Sequence, residues 1–76
     1  MNQKIALITG AGSGVGLACA QRLAKDGFTL VLTGRQQDKI DAACATLDGQ
    51  GHIAVAADVG VEADVDALFD RVEATF

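Results

Sequence analysis

The sequence predicts an α/β fold, a doubly wound parallel sheet with helices on both faces, and three observations support this prediction. Three short apolar runs alternate with three amphipathic segments of helical spacing. The connections between them are short, which favours right-handed crossovers and parallel strands in the spatial order 3-2-1. The 76 residues are 50% hydrophobic and contain no proline, as expected for one small globular unit.

The first strand and the first helix flank a glycine-rich segment. Residues 4–9 contain a continuous apolar run that ends at Gly10, which predicts a strand buried on both faces, as in a sheet covered by helices. Helix 1 is predicted over residues 14–26, and Gly27 supplies its stop. Its apolar stripe consists of Val15, Ala18, Cys19, the stem of Arg22, and Leu23.

The same alternation continues along the chain. Residues 29–33 repeat the buried-strand pattern, and residues 52–57 form a shorter third strand after a turn at residues 48–51. Gly60 is a tolerated N-cap for helix 3, whose acidic first turn suits the helix dipole. The predicted apolar faces are Ile40, Ala43, Cys44 and Leu47 in helix 2, Ile53, Val55 and Ala57 in strand 3, and Val61, Val65, Leu68, Phe69, Val72 and Phe76 in helix 3.

Charge and hydropathy exclude several classes of partner. Six basic and ten acidic residues give a net charge of −4, and no Lys or Arg cluster could follow a phosphate backbone, so no nucleic-acid partner is expected. The apolar run of strand 1 is too short for a signal peptide or a membrane span, which predicts a cytoplasmic protein without a membrane partner. Five acids, expected on a solvated helix face, are Glu62, Asp64, Asp66, Asp70 and Glu73.

The cysteines and the histidine do not show the spacing of a C-x-x-C motif or a metal site. Cys19 and Cys44 form no C-x-x-C pair and fall on predicted apolar stripes, so we expect reduced, buried thiols. His52 stands alone at a turn with no second ligand at metal spacing, which favours a structural or solvated role. No metal site is predicted.

Four of the nine glycines lie at the junction of strand 1 and helix 1, namely Gly10, Gly12, Gly14 and Gly16. Glycine permits positive φ and lets a ligand approach the backbone. The free N–H groups and the positive dipole end at a helix start attract phosphate. The segment is therefore interpreted as an anion-binding turn, and a glycine-rich loop without a ligand is the alternative.

The spacing of these glycines indicates which phosphate-binding motif they form. The general fingerprint G-x-G-x-x-G is not met, because Val15 or Leu17 occupies its third glycine position, and a P-loop is excluded because no Lys-Ser/Thr follows. The pattern T-G-x-x-x-G-x-G at residues 9–16 resembles the motif of the short-chain dehydrogenase/reductase family. The resemblance extends over residues 4–76. It implies a Rossmann-type fold, of which residues 1–76 are a single partial domain, the N-terminal cofactor-binding half.

The resemblance also implies roles for the residues of the turn. Gly10 and Gly12 would keep the turn close to the adenosine phosphates, with Gly14 as the central glycine of the motif. Ser13 would offer its hydroxyl to phosphate or ribose, and the amide of Val15 would meet the pyrophosphate. Gly16 would let helix 1 approach the sheet closely.

Two further positions bear on the cofactor. Gly34 occupies the place where NAD-selective family members usually carry Asp, and Arg35 the place where NADP-selective members usually carry a basic residue, so NADP(H) is favoured over NAD(H). Arg35 as a solvated loop residue is the alternative. Asp58 and Val59 resemble the family's Asp-Val pair that borders the adenine, although Asp58 could instead cap the next helix.

The resemblance covers the cofactor half of a family member and none of its catalytic residues. Family members use a serine and a Tyr-x-x-x-Lys located further along, and this chain contains no tyrosine, so no catalytic residue is assigned. Hydride transfer between NADP(H) and a carbonyl or alcohol is expected of a parent protein, a homo-oligomer in which the remainder of the fold comes from the same or a complementary chain. The alternatives are a non-catalytic NADP(H)-binding sensor or interaction module, and a stand-alone small protein, which conflicts with the open edge of strand 1.

Overall fold

The computed structural model describes residues 4–12, 14–58 and 60–76, so the predicted site residues Ser13 and Val59 lie outside the described residues. Strands and helices alternate as the sequence predicts. The elements are β1 (Ile5–Thr9), α1 (Gly14–Lys25), β2 (Thr29–Gly34), α2 (Gln37–Cys44), β3 (Ile53–Ala56) and α3 (Glu62–Thr75).

The three strands are parallel and lie in the order β1-β2-β3, which is the predicted order with β2 in the centre. Thr9 at the end of β1 lies opposite Thr33, and Gly34 at the end of β2 lies opposite Ala56. The carboxyl ends of all three strands therefore meet at one edge of the sheet. In open α/β sheets this is the edge at which ligands bind.

Helices cover both faces of the sheet, which confirms the α/β fold. Alternate residues of β2 serve the two layers: Leu30 and Leu32 pack with α1 and α2, whereas Val31 packs with Leu68 of α3. All four side chains are almost completely buried. Full burial of an aliphatic side chain of this size stabilises a fold by about 1.5–3 kcal/mol, so the central strand anchors both layers.

Strand β1 departs from the prediction of burial on both faces. Ile5 and Leu7 each remain 39% exposed, while Ala6 and Ile8, on the opposite face, pack against the core beneath α1 and α2. The reason is that α3 packs on β2 and β3 through Leu68 and leaves β1 uncovered on its side. Among the described residues, no strand pairs with the outer edge of β1.

The buried stripe of α1 also differs from the predicted one. Val15 is 81% exposed and Cys19 is exposed, so the expectation that both cysteines are buried is wrong for Cys19. The residues that face the sheet are Gly16, Ala20 and Ala24, which recur every fourth position; both alanines are buried. The fully buried contacts of the helix are thus made by small residues, while Leu17 and the predicted Leu23 are partly buried against the same core. A pattern that weighs hydrophobicity alone also favours Val15 and Cys19, which lie outside this contact.

Helix α2 buries Ile40 and Ala43 as predicted, but it ends at Cys44. Leu47 therefore lies in the following turn, where it is still buried, and Cys44 is half-buried. Burial, together with the nearby Asp41 carboxylate, raises the pKa of the Cys44 thiol above its ordinary value.

Helix α3 begins one residue later than predicted, with Val61 rather than Gly60 as its N-cap. Its predicted apolar face is only partly buried, because Leu68 contacts the sheet whereas Val61, Phe69 and Phe76 remain exposed. The five acids near the C-terminal end are exposed, as predicted. None of the described helices combines the length and apolar character needed to cross a membrane.

Candidate functional site

An open cleft of about 460 Å³ lies at the carboxyl edge of the sheet. This volume is in the range of small-molecule sites. The walls come from the glycine-rich turn, the ends of β2 and β3, and the start of α2. The residues that line it are Thr9, Gly10, Gly12, Thr33, Gly34, Arg35, Gln36, Lys39, Ile40 and Ala57.

The backbone of the glycine-rich turn requires glycine at two positions. Gly10 and Gly14 both have a φ of +63°, a conformation that L side chains rarely adopt. Among the described residues, apart from chain neighbours and the helix's own backbone, a Cβ built on either residue would meet no atom within 4 Å. Conformation rather than packing therefore selects glycine here, and the surface over the turn is open to a ligand.

Gly16 is required for a different reason. A Cβ at this position would collide with the carbonyl oxygen of Gly10 and lie 3.0 Å from its carbonyl carbon. The first turn of α1 thus sits directly against the backbone of the glycine-rich turn. The free N–H groups of the helix start, including the predicted ligand position Val15, are presented beside that turn.

Ala11, which the sequence analysis did not single out, fixes the turn to the sheet. Its side chain is fully buried among the core residues beneath α1 and α2. Its N–H donates to the carbonyl oxygen of Thr33 at 3.4 Å. A small apolar residue between two glycines was the available signal. Thr33 itself is structural, because its buried hydroxyl donates to the carbonyl oxygen of Val55 at 2.8 Å.

The structure brings two predicted site residues together in an ion pair. Arg35 Nε lies 3.7 Å from Asp58 Oδ1, with 79% of the arginine side chain and 37% of the aspartate side chain exposed. At this distance and exposure such a pair contributes little to stability, about 0–1 kcal/mol. The two residues were expected at the same edge of the sheet, but direct pairing was not foreseen.

Asp58 also organises the turn before α3. Its Oδ1 accepts a hydrogen bond from the N–H of Gly60 at 2.9 Å, and its own N–H donates to Asp64 Oδ2 at 3.0 Å. The helix has Val61 as its N-cap and no side-chain cap. Asp58 therefore shapes the loop that precedes α3 and does not cap the helix itself.

Gln37, the first residue of α2, ties the helix to β3. Its Nε2 donates to the carbonyl oxygen of Ala54 at 3.2 Å, and its Oε1 accepts from the N–H of Ala56 at 3.0 Å. Nε2 also donates to Asp41 Oδ1 at 2.8 Å. The side chain thus satisfies the backbone of an edge strand and positions the start of α2. A glutamine at a helix start gives no sequence signal for such a role.

Lys39 lines the cleft, although the sequence pattern did not assign it to the site. It lies in the first turn of α2, and its backbone N–H donates to the carbonyl oxygen of Gln36 at 3.2 Å. Only the tertiary approach of α2 to the glycine-rich turn reveals its place in the cleft.

His52 has the structural role that was predicted. Its Nδ1 accepts a hydrogen bond from the N–H of Leu30 at 2.9 Å, and its Nε2 lies 2.7 Å from the carbonyl oxygen of Asp48. Because a backbone N–H can only donate and a carbonyl can only accept, this geometry suits the tautomer with its proton on Nε2. The described residues hold no group of three or more His, Cys, Asp or Glu side chains placed to bind a metal.

The comparison with protein families decides the classification. The family model described as short chain dehydrogenase matches residues 4–76. The chain belongs to the short-chain dehydrogenase/reductase family. It is 39% identical over 72 residues to an uncharacterized oxidoreductase of Staphylococcus haemolyticus, covering 95% of this chain and 31% of that protein.

Solved structures of the short-chain dehydrogenase/reductase family have the same fold. A 3-ketoacyl-(acyl-carrier-protein) reductase from Brucella melitensis, complexed with NADH, is 42% identical, with a TM-score of 0.89 over 96% of this chain and 30% of that one. A short-chain dehydrogenase/reductase from Burkholderia phymatum in complex with NAD is 39% identical, with a TM-score of 0.90 over 99% of this chain and 27% of that one. The chain thus spans less than a third of the length of these relatives.

Proposed function

We propose that this chain is the dinucleotide-binding portion of an NAD(P)(H)-dependent short-chain dehydrogenase/reductase, and that the parent enzyme transfers a hydride between NADP(H) and a carbonyl or alcohol substrate. The observation that carries the proposal is the open cleft bounded by Gly10, Gly12 and the start of α2. Two similar structures are described as complexes with NADH and NAD, which supports a nicotinamide dinucleotide as the ligand class.

The glycine-rich turn would hold the pyrophosphate. Positive φ at Gly10 and Gly14 curves the backbone away from β1 and leaves its surface open, so phosphate oxygens can approach the N–H groups of the turn. Gly12 and the amide of Val15 would contact the phosphates, and the hydroxyl of Ser13 would bind phosphate or ribose. Gly16 acts indirectly, because its lack of a side chain sets how closely α1 approaches the turn.

Gly34 and Arg35 would select NADP(H). A Cβ on Gly34 would lie only 3.0 Å from Ile40 Cγ2, so α2 packs closely over this position and a carboxylate there would have to displace it. The cleft therefore presents no acid at the place where a free ribose 2′-hydroxyl would be read. Arg35, largely exposed at the edge of the cleft, can turn its guanidinium toward a 2′-phosphate.

Asp58 and Val59 would border the adenine. The Oδ1 atom of Asp58 is engaged by the N–H of Gly60 and the guanidinium of Arg35. No hydrogen bond joins its Oδ2 to the described residues, so this oxygen can accept from the adenine amino group. Arg35 would then bridge the carboxylate and the 2′-phosphate.

The dinucleotide supplies or accepts the hydride, and this chain contributes binding and orientation. The chain contains no tyrosine, so proton transfer to or from the substrate oxygen is assigned to the remainder of the fold, from the same or a complementary chain. The exposed apolar side chains of Ile5, Leu7 and Phe69 support the packing of further structure beside β1 and α3. We also propose that the parent protein is a homo-oligomer in the cytoplasm.

Titration of the complete protein with NADPH and NADH tests the cofactor assignment. We expect tighter binding of NADPH, and we expect Arg35→Ala to weaken NADPH binding by roughly tenfold to a hundredfold, as the loss of a charge-assisted hydrogen bond predicts. Tighter NADH binding, or an unchanged NADPH affinity in Arg35→Ala, would overturn the NADP(H) preference. Binding of NADPH without turnover of any carbonyl or alcohol would instead favour a sensor or interaction module.

A further inference from the structure

We infer that Lys39 is a second cation for the 2′-phosphate and a determinant of NADP(H) selectivity alongside Arg35. The inference rests on the proposed function, because it concerns the phosphate that distinguishes NADP(H) from NAD(H). Lys39 lies outside the glycine motif and outside the strand end at which the ribose is read, so neither pattern points to it.

The position of Lys39 is set by contact with the glycine-rich turn. A Cβ built on Gly12 would lie 3.3 Å from Lys39 Cβ and 4.0 Å from Lys39 Cδ. The aliphatic stem of Lys39 therefore packs beside Gly12, in space that a side chain at position 12 would occupy. Lys39 and Arg35 line the same cleft, so both flexible side chains can direct a positive charge toward a phosphate bound there.

The two cations that line the cleft, Arg35 and Lys39, differ in whether they have an acidic partner. Arg35 shares its charge with Asp58, whose Oδ1 is 3.7 Å from the guanidinium Nε. Among the described residues, no acidic oxygen lies within 4.0 Å of the Lys39 ammonium. Of the two cations that line the cleft, Arg35 is thus paired with a carboxylate, whereas Lys39 has no acidic partner at this distance among the described residues.

A phosphate monoester would be stabilised further by a second cation. It carries a charge of about −1.5 to −2 at neutral pH. An arginine already paired with a carboxylate neutralises only part of that charge, whereas an ammonium without an acidic partner adds a full counter-charge on a flexible stem. NADH has no phosphate at this position, so the contribution of Lys39 is confined to NADPH.

The test compares NADPH and NADH dissociation constants for the complete protein and for Lys39→Gln, Arg35→Gln and Lys25→Gln. Lys25→Gln is the matched control, because it removes the same charge from an exposed lysine that lines a different cleft. We expect Lys39→Gln to weaken NADPH binding about tenfold, the size of a charge-assisted contact, and to leave NADH binding within about twofold. Lys39→Arg should restore NADPH binding, and raised salt should narrow the difference between wild type and Lys39→Gln.

The outcomes separate this inference from the proposed function. If Arg35→Gln weakens NADPH binding and Lys39→Gln does not, the inference fails and the NADP(H) assignment stands. If Lys39→Gln weakens NADPH and NADH equally, Lys39 acts on the turn or the pyrophosphate and the inference also fails. If the wild-type protein binds neither dinucleotide, both the inference and the proposed function fail.

Discussion

Gly16→Ala is the substitution that most directly tests how α1 and the glycine-rich turn depend on each other. The three atoms nearest to the added methyl group all belong to the backbone: the carbonyl oxygen and carbon of Gly10, and the Cα of Ala11 at 3.3 Å. No side-chain rotation can relieve this contact, so the helix must move away from the turn. Overpacking of this kind costs about 1–3 kcal/mol, and replacing glycine by alanine inside a helix returns up to about 1 kcal/mol. The expected net loss in the free energy of unfolding is about 1 kcal/mol.

The effect on ligand binding should exceed the effect on stability. A shift of α1 moves its free N–H groups relative to the turn, and we expect the affinity for NADPH to fall about tenfold or more, the loss of one charge-assisted hydrogen bond. Urea unfolding and NADPH titration of the complete protein measure the two quantities. Ala18→Gly, an exposed position in the same helix, is the control, because it should cost about 1 kcal/mol through helix propensity without changing affinity. Wild-type stability and wild-type affinity in Gly16→Ala would refute the argument.

Two other predictions concern packing outside the turn. Gln37→Ala should lower the free energy of unfolding by about 1–2 kcal/mol, because the contacts of its amide with β3 are lost. Gln37→Glu keeps the acceptor but puts a carboxylate oxygen beside the Ala54 carbonyl and the Asp41 carboxylate, so it should also be less stable than the wild type in urea unfolding. Equal stability of all three proteins would contradict the role of Gln37. A thiol reagent near neutral pH should modify Cys19 faster than Cys44, because burial and then Asp41 raise the pKa of the Cys44 thiol and lower its thiolate fraction. Peptide mapping that found Cys44 modified first would refute this order of reaction. The pKa of the Cys44 thiol is higher in the folded than in the unfolded state. The contribution of Cys44 to stability is therefore present below the ordinary thiol pKa and is lost as the pH rises through the folded value.

Local patterns were sufficient to predict the architecture of the chain. The alternation of apolar runs and helical spacing predicted all six elements and the order of the strands. The side of a helix that faces the sheet was harder to predict. In α1 the contact is made by Gly16, Ala20 and Ala24, because small residues allow the closest approach, whereas hydrophobic periodicity favoured Val15 and Cys19.

The exposure of β1 could not be predicted from β1 itself. Its apolar run is typical of a strand covered on both sides, yet Ile5 and Leu7 are exposed because α3 packs over β2 and β3. The sequence of a strand shows which of its faces are apolar. The positions of the neighbouring elements determine which of those faces are covered. The same reasoning applies to Phe69, which adjoins the buried Leu68 in α3 but is itself exposed.

At the candidate site, spacing in the sequence predicted the backbone better than the side chains. Spacing alone identified the glycine-rich turn, because glycine is tied to φ angles and close approaches that few other residues tolerate. Arg35 and Asp58 could be placed at one edge of the sheet because each follows a strand. Gln37 and Lys39 could not, since their contacts depend on how α2 leaves β2 and where its first turn meets its neighbours.

The glycines of the turn meet three distinct physical requirements. Gly10 and Gly14 supply positive φ, and Gly16 removes a collision between α1 and the backbone of the turn. Gly12 has no positive φ, and the contact its Cβ would make is with the stem of Lys39. A side chain at Gly12 would therefore press on the base of the Lys39 side chain, a milder contact than the collision with backbone at Gly16. On this argument Gly12→Ala should preserve stability better than Gly16→Ala, and its effect on binding should be greater for NADPH than for NADH.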